Sequence, residues 1–212
     1  MQNHTVFEQI ESMFPRLSGR AYRVYPELPG DVVGIGIVRV GKFKAIAVSQ
    51  PPAEYSSSIT RETPSSLGIE ATQVFDLYTP WTIFTSKIQL SQAKDSIFQE
   101  NLGEPSIEVR LDRVASGRIG WGKKVGIISK VEVFYNALET LDPDNLRNEF
   151  WKFLEHQIFA QGIKHIAIPI TENSEIKLER LGYKLKSGFM QKTAQGLHKR
   201  DKSTENQPTV ES

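Results

Sequence analysis

The sequence predicts an α/β (α+β) fold, a mixed and mostly antiparallel sheet flanked by helices. Three observations predict it. Two stretches, 31–50 and 106–134, alternate apolar and polar residues on either side of glycine, as paired antiparallel strands do. From Asp142 onward the chain reads helix, glycine, strand, short helix, glycine, strand. Hydrophobic residues make up 39% of the 212, enough for the core of one medium domain, taken here as 1–193.

The elements follow in order. Val6, Ile10, Met13, Phe14 and Leu17 have helix spacing, and Thr5 with Glu8 forms a capping box. Pro15 argues against a continuous helix as far as Leu17. Residues 21–25, AYRVY, alternate like a short strand. In the hairpin 31–50, Val33, Ile35 and Ile37 share one face, Gly41 marks the turn, and Phe43 to Val48 return. Gly34 and Gly36 weaken the outgoing strand and suit a bulge or a close backbone approach. The Pro- and Ser-rich stretch 51–68 is a long connection of the kind that is often functional or mobile. Residues 72–90 are aromatic and β-branched, and Pro80 is expected to break them into two extended pieces. Residues 91–103 read as a short helix capped by Ser91 and stopped by Gly103.

In 106–134, Ile107, Val109 and Leu111 alternate on a first strand. Val125, Ile127, Ser129, Val131 and Val133 alternate on a second, with a glycine-rich turn at 116–124 between them. Ile128 and Phe134 add apolar residues to the other face, so the second strand is expected to be central. Asp142 is a good N-cap and Pro143 a good first helical residue. Leu146, Phe150, Phe153, Leu154 and Ile158 form the apolar stripe of that helix, and Gly162 ends it. Residues 165–170, HIAIPI, form a buried strand whose Pro169 points to an edge or a bulge. A short helix over 172–182 stops at Gly182, and 183–192 form a last strand or hairpin. Residues 194–212 have almost nothing to bury and read as a disordered tail.

Composition excludes several kinds of chemistry. With no cysteine the chain has no disulfide, thiol nucleophile or Cys-ligated metal, and it fits a reducing, cytoplasmic setting. A net charge of +1 selects no polyanion. No apolar run is long enough for a membrane span, and Glu8 and Glu11 inside the first apolar pattern argue against a secretory signal. The four histidines are scattered, so no metal site and no Ser/His/Asp arrangement is expected.

From Lys124 to Lys192 the order strand, helix, strand, helix, strand carries a resemblance. The segments Gly162-Ile163-Lys164, the strand 165–170 and Leu181-Gly182-Tyr183 resemble the C-terminal half of the GCN5-related N-acetyltransferase (GNAT) family. The strands of 107–134 would fit that family's central meander. The resemblance implies transfer of an acyl group from acetyl-CoA or another acyl-CoA to an amine. It places the CoA diphosphate on the turn that opens the long helix, with Asn145, Leu146 and Arg147 as cofactor-contacting candidates. Asn173 would match the family's CoA-side Asn if the short helix has lost about two residues. Glu132 stands where some members keep a carboxylate base; the alternative is a solvated strand residue.

The turn itself, ETLDPDNLR, departs from the family's glycine-rich motif. Pro143 removes an N–H donor, Asp142 would cap the helix with its own carboxylate, and Asp144 adds a second negative charge. Leu178 occupies the position at which the family often has the tyrosine that protonates the leaving thiolate. The implied alternative is a non-catalytic GNAT-like scaffold or regulatory protein that binds a protein or nucleic-acid partner. Trp121, flanked by Arg118, Lys123 and Lys124, is the partner-binding candidate, and 110–130 is basic enough to offer a nucleic-acid surface. The alternative there is an ordinary solvated hairpin with Trp121 folded onto the core.

Overall fold

A computed structural model describes residues 6–20, 22–25, 33–55, 67–84, 107–134, 142–170 and 175–194. The class is the expected one, a largely antiparallel sheet with a few helices. Thr5 of the capping box, most of the connection 51–68, the helix expected at 91–103, Asn173 and the tail from 195 lie outside the described residues.

Helix α1 (Val6–Met13) ends before Pro15, and a single 3-10 turn, Pro15–Leu17, carries Leu17 into the core. Ten strands follow among the described residues: β1 (Tyr22–Tyr25), β2 (Val33–Val40), β3 (Phe43–Ser49), β4 (Ala53–Glu54), β5 (Ala71–Phe84), β6 (Ile107–Trp121), β7 (Val125–Val133), β8 (His165–Pro169), β9 (Lys184–Lys186) and β10 (Phe189–Thr193). Helix α2 (Pro143–Ala160) joins β7 to β8, and α3 (Glu175–Arg180) precedes β9. The strands form one sheet in the order β2-β3-β5-β6-β7-β8-β10-β9, with β1 beside β6 and β4 beside β5. Two pairings are parallel, β1 with β6 and β7 with β8. The second follows from α2, since a parallel neighbour needs a crossover connection.

The helices cover opposite faces. Val6, Ile10 and Leu17 pack on Ile46, Val48, Val109 and Leu111. On the other face Leu146, Phe150, Leu154 and Ile158 of α2 pack on Ala45, Ala47, Phe75, Leu77, Ile119, Ile128 and Ile166. Strand β3 is therefore buried on both sides from Ala45 to Ser49.

Three strand readings need correction. The turn expected at 116–124 is strand as far as Trp121, and only Gly122 to Lys124 turn. Gly117 and Gly120 are there because the sheet is crowded, not because the chain bends. A Cβ on Gly117 would stand 2.6 Å from Leu154 Cδ1, and one on Gly120 would stand 3.0 Å from Ile69 Cγ2. Pro80 does not break β5: the strand pairs with β6 along its whole length. Strand β3 pairs only with Phe75–Tyr78, so Pro80 sits where that side has no strand partner among the described residues, and its missing N–H is tolerated there. Finally, bulges reset the alternation. The β2 register slips between Gly34 and Gly36, so Val38 and Val40, not Ile37, face the α2 core. The β6–β7 register slips between Arg118 and Ile119, which leaves Ser129 of β7 without a partner residue on β6. In consequence Ile128, Val131 and Val133 face α2, and Ile127 does not belong to that cluster.

Helix α2 comes closest to the sheet at Gly126, where a Cβ would run into Ile158 Cγ2. Gly126→Ala is therefore expected to cost about 1–3 kcal/mol of stability through overpacking. Urea denaturation measures it; an unchanged midpoint would mean that α2 rides higher on the sheet than described.

Candidate functional site

Strands β7 and β8 pair for only two residues, Val125 with His165 and Gly126 with Ile166. Beyond that they part. Residues 127–131 of β7 and 167–169 of β8 then face each other with no strand between them among the described residues. Two local features keep them apart. The bulge at Ser129 bends β7, and the Ser129 hydroxyl donates to the Arg118 carbonyl at 3.3 Å, holding the bulged residue toward β6. Pro169 ends β8 and has no N–H to offer across the gap.

The gap opens into a cleft of about 620 Å³, within the range of small-molecule sites. Its apolar wall is Ile127, Ile128, Val131, Trp151, Ile168, Pro169, Leu178 and Leu181. Its polar rim is Lys130, Asp144, Asn145, Arg147, Asn148, Glu149, Lys152 and Arg180, four cations to two carboxylates. Three of the cations are paired locally: Lys130 with Glu132 at 2.6 Å, Lys152 with Glu149 at 2.6 Å and Arg147 with Asp144 at 3.4 Å. Arg180 has no ion-pair partner among the described residues.

The start of α2 borders the cleft and is self-capped. The Asp142 carboxylate accepts the Asp144 N–H at 3.1 Å, Pro143 has no N–H, and the Leu146 N–H bonds back to the Asp142 carbonyl at 2.9 Å. That leaves Asn145 as the one amide of 143–146 without a partner among the described residues. A diphosphate cradle needs several such amides pointing at one place.

A buried polar chain supports the cleft wall from behind. The Trp151 indole N–H donates to the Tyr183 hydroxyl at 3.1 Å, and the two rings meet edge to face. Lys192 donates to Glu155 at 2.6 Å and to the Leu181 carbonyl at 2.7 Å, and its ammonium lies 5.4 Å from the Tyr183 ring centroid. Burial first, then the neighbouring Glu155 carboxylate, pushes the Tyr183 hydroxyl far above its usual range; the Trp151 N–H acts the other way. Tyr183 is thus a structural hydroxyl, held neutral, and a poor acid for catalysis. Glu155 was not legible as a site residue in the sequence. The available signal was its position, four residues after Trp151 and three before Ile158, on the inward side of α2.

The sequence candidates scatter around this geometry. Asn145 and Arg147 line the cleft. Leu146 does not: its side chain is fully buried in the core and its N–H is spent on the Asp142 carbonyl, so it is withdrawn as a cofactor contact. Leu178 lines the cleft as an apolar residue. Glu132 follows the bulge on the face away from α2, half exposed and held by Lys130. Trp121 is not an exposed hairpin tip, because it ends β6, is partly buried and packs against the core. Arg118 is a partly buried strand residue paired across to Lys130 in the register. Lys123 and Lys124 are exposed in the turn, Lys123 lying 3.9 Å from Glu70. The basic strip of 110–130 is divided by pairing, Arg110 to Asp112 at 2.8 Å and Arg113 to Asp76 at 3.9 Å.

Comparison with family models, curated proteins and solved structures gives no match to this chain. Among the described residues no three His, Asp or Glu side chains converge as metal ligands, and no helix is long and apolar enough to cross a membrane.

Lys192→Met strands the Glu155 carboxylate, which is only 5% exposed. A loss of about 3 kcal/mol is expected by urea denaturation, partly recovered by adding Glu155→Gln. A loss below about 1 kcal/mol would mean that solvent already screens the pair.

Proposed function

We propose that the cleft between β7 and β8 holds the pantetheine arm of an acyl thioester and that the chain is a GNAT-like N-acyltransferase. The observation that carries this reading is the pair of facing strand edges, 127–131 and 167–169, opening into an apolar-walled cleft of about 620 Å³. A pantetheine arm is a flexible aliphatic chain with two amides. Such a group can lie extended between two unpaired strand edges, exchange amide hydrogen bonds with them and bury its methylenes against Ile128, Val131 and Ile168. Few other metabolite groups combine that length with that alternation of polar and apolar atoms. The order of β7, α2 and β8 also agrees with the resemblance drawn from the sequence.

In the reaction the acceptor amine nitrogen bonds to the thioester carbonyl carbon and the carbon–sulfur bond breaks. The nitrogen gives up a proton, and the sulfur leaves as a thiolate that takes a proton from water. Glu132 does not line the cleft but lies just past the bulge on the other face of β7, half exposed, and in this reading it accepts the amine proton through water. Leu178 offers no proton to the thiolate, so turnover is expected to be slow. That same residue, with the self-capped helix, favours the second reading, a scaffold that binds the arm without turning it over. Either way a reducing cytoplasmic setting suits a chain without cysteine that handles thioesters.

Calorimetric titration with acetyl-pantetheine tests the site. Val131→Trp should fill the cleft and weaken binding by about tenfold or more, with a melting temperature within a few degrees of the parent. Binding unaffected by that substitution would place the arm elsewhere and overturn the reading.

A further inference from the structure

We propose that the acyl donor reaches the cleft as a phosphopantetheine arm carried on an acidic carrier protein rather than as free acyl-CoA. The proposal rests on the acyl-thioester reading above and names the form of its donor. Two independent observations carry it.

The first is the disagreement between the cleft and the helix start. The wall suits the arm, but the first turn of α2 cannot grip a diphosphate. Only the Asn145 amide is left uncapped there among the described residues, and the Asp144 carboxylate stands on the rim. Free CoA would bring its diphosphate into contact with that carboxylate. A carrier-bound arm has a single phosphodiester and no nucleotide, so it asks much less of this turn. The Arg147 guanidinium and the Asn145 amide suffice for one phosphate oxygen pair.

The second is the surface beside the open end of the cleft. Strand β9 forms an edge of the described sheet, and all three of its residues are exposed. Lys186 is in register with Phe189 of β10, which is in register with Pro169 at the cleft. The edge therefore lies about 10 Å, two strand spacings, from the opening. Lys184 and Lys186 flank Leu185, which is 58% exposed, and Arg180 lies between this edge and the cleft in sequence and lines the cleft itself. Among the exposed described residues from 179 to 186, Arg180, Lys184 and Lys186 oppose Glu179 alone. Lys184 and Lys186 project from one face of this edge and Leu185 from the other, the face it shares with Met190, so a partner seated along the edge itself meets both, and the excess of cations matches an acidic helical surface. Such a surface also supplies the affinity that the missing diphosphate contacts do not.

The test compares four probes on the full chain: acetyl-CoA, acetyl-pantetheine, an acidic acyl carrier protein bearing an acetyl-phosphopantetheine arm, and the same carrier without the arm. The acetylated carrier is expected to bind about tenfold or more tighter than acetyl-CoA, and to lose that advantage as salt rises. Lys184→Glu with Lys186→Glu lies outside the cleft lining. It should abolish the carrier's advantage and leave acetyl-pantetheine binding unchanged. Acetyl-CoA binding as tightly as the carrier would overturn the donor assignment while leaving the acyltransferase reading in place. Equal binding of the carrier with and without its arm would overturn it as well, since the arm would not be entering the cleft. No binding of any acetylated probe would overturn both.

Discussion

Helix α2 lies nearer the sheet than side chains would ordinarily allow, and two glycines make that possible. Phe150 and Leu154 occupy the space above Gly117, and Ile158 occupies the space above Gly126. The contact holds β6 and β7 under the helix while the crossover delivers β8 parallel to β7. Because Gly126 is also one of the two β7 residues that pair with β8, the closest helix contact and the last rung of the parallel ladder coincide. Past that rung nothing in the ladder holds the two strands together. The Ser129 bulge and Pro169 turn the loss of pairing into a cleft.

A gap in a sheet is costly unless its polar backbone is satisfied and its walls are fixed. Here the opening reaches solvent, so the strand edges of β7 and β8 remain available to a ligand. The wall is fixed from behind by Trp151 bonded to the Tyr183 hydroxyl, by the Lys192 ammonium over the Tyr183 ring, and by the bonds of Lys192 to Glu155 and the Leu181 carbonyl. Trp151 and Leu181 both line the cleft, so the buried ion pair acts on the site's shape without touching what enters it. Rigidity of this kind lowers the ordering cost of binding.

Much of this was legible in the sequence where one physical rule dominated. Asp142 and Pro143 announced the helix start, the stripe from Leu146 to Ile158 announced its buried face, and Gly162 and Gly182 announced the stops, with φ of +81° and +87°. Pro169 read as a strand end near an open edge, and it borders the cleft. Legibility failed where two rules compete. Gly117 and Gly120 look like turn residues, because glycine marks a bend and a crowded helix contact in the same way. The bulges at Gly34–Gly36 and at Ser129 shift the alternation without changing composition, so Ile127 and Ile128 exchanged faces unseen. The role of Glu155 has no local signature, since its partner Lys192 is 37 residues away. The cleft itself is a missing pairing, which no single residue encodes.

The central claim is that the parted edges of β7 and β8 receive a pantetheine arm. Amide NMR of isotopically labelled protein during titration with acetyl-pantetheine tests it most directly. The account predicts saturable shifts concentrated at Ile128, Ser129, Lys130 and Val131 on one edge and at Ala167 and Ile168 on the other. Shifts confined to any other surface, or none with the protein folded, would contradict it.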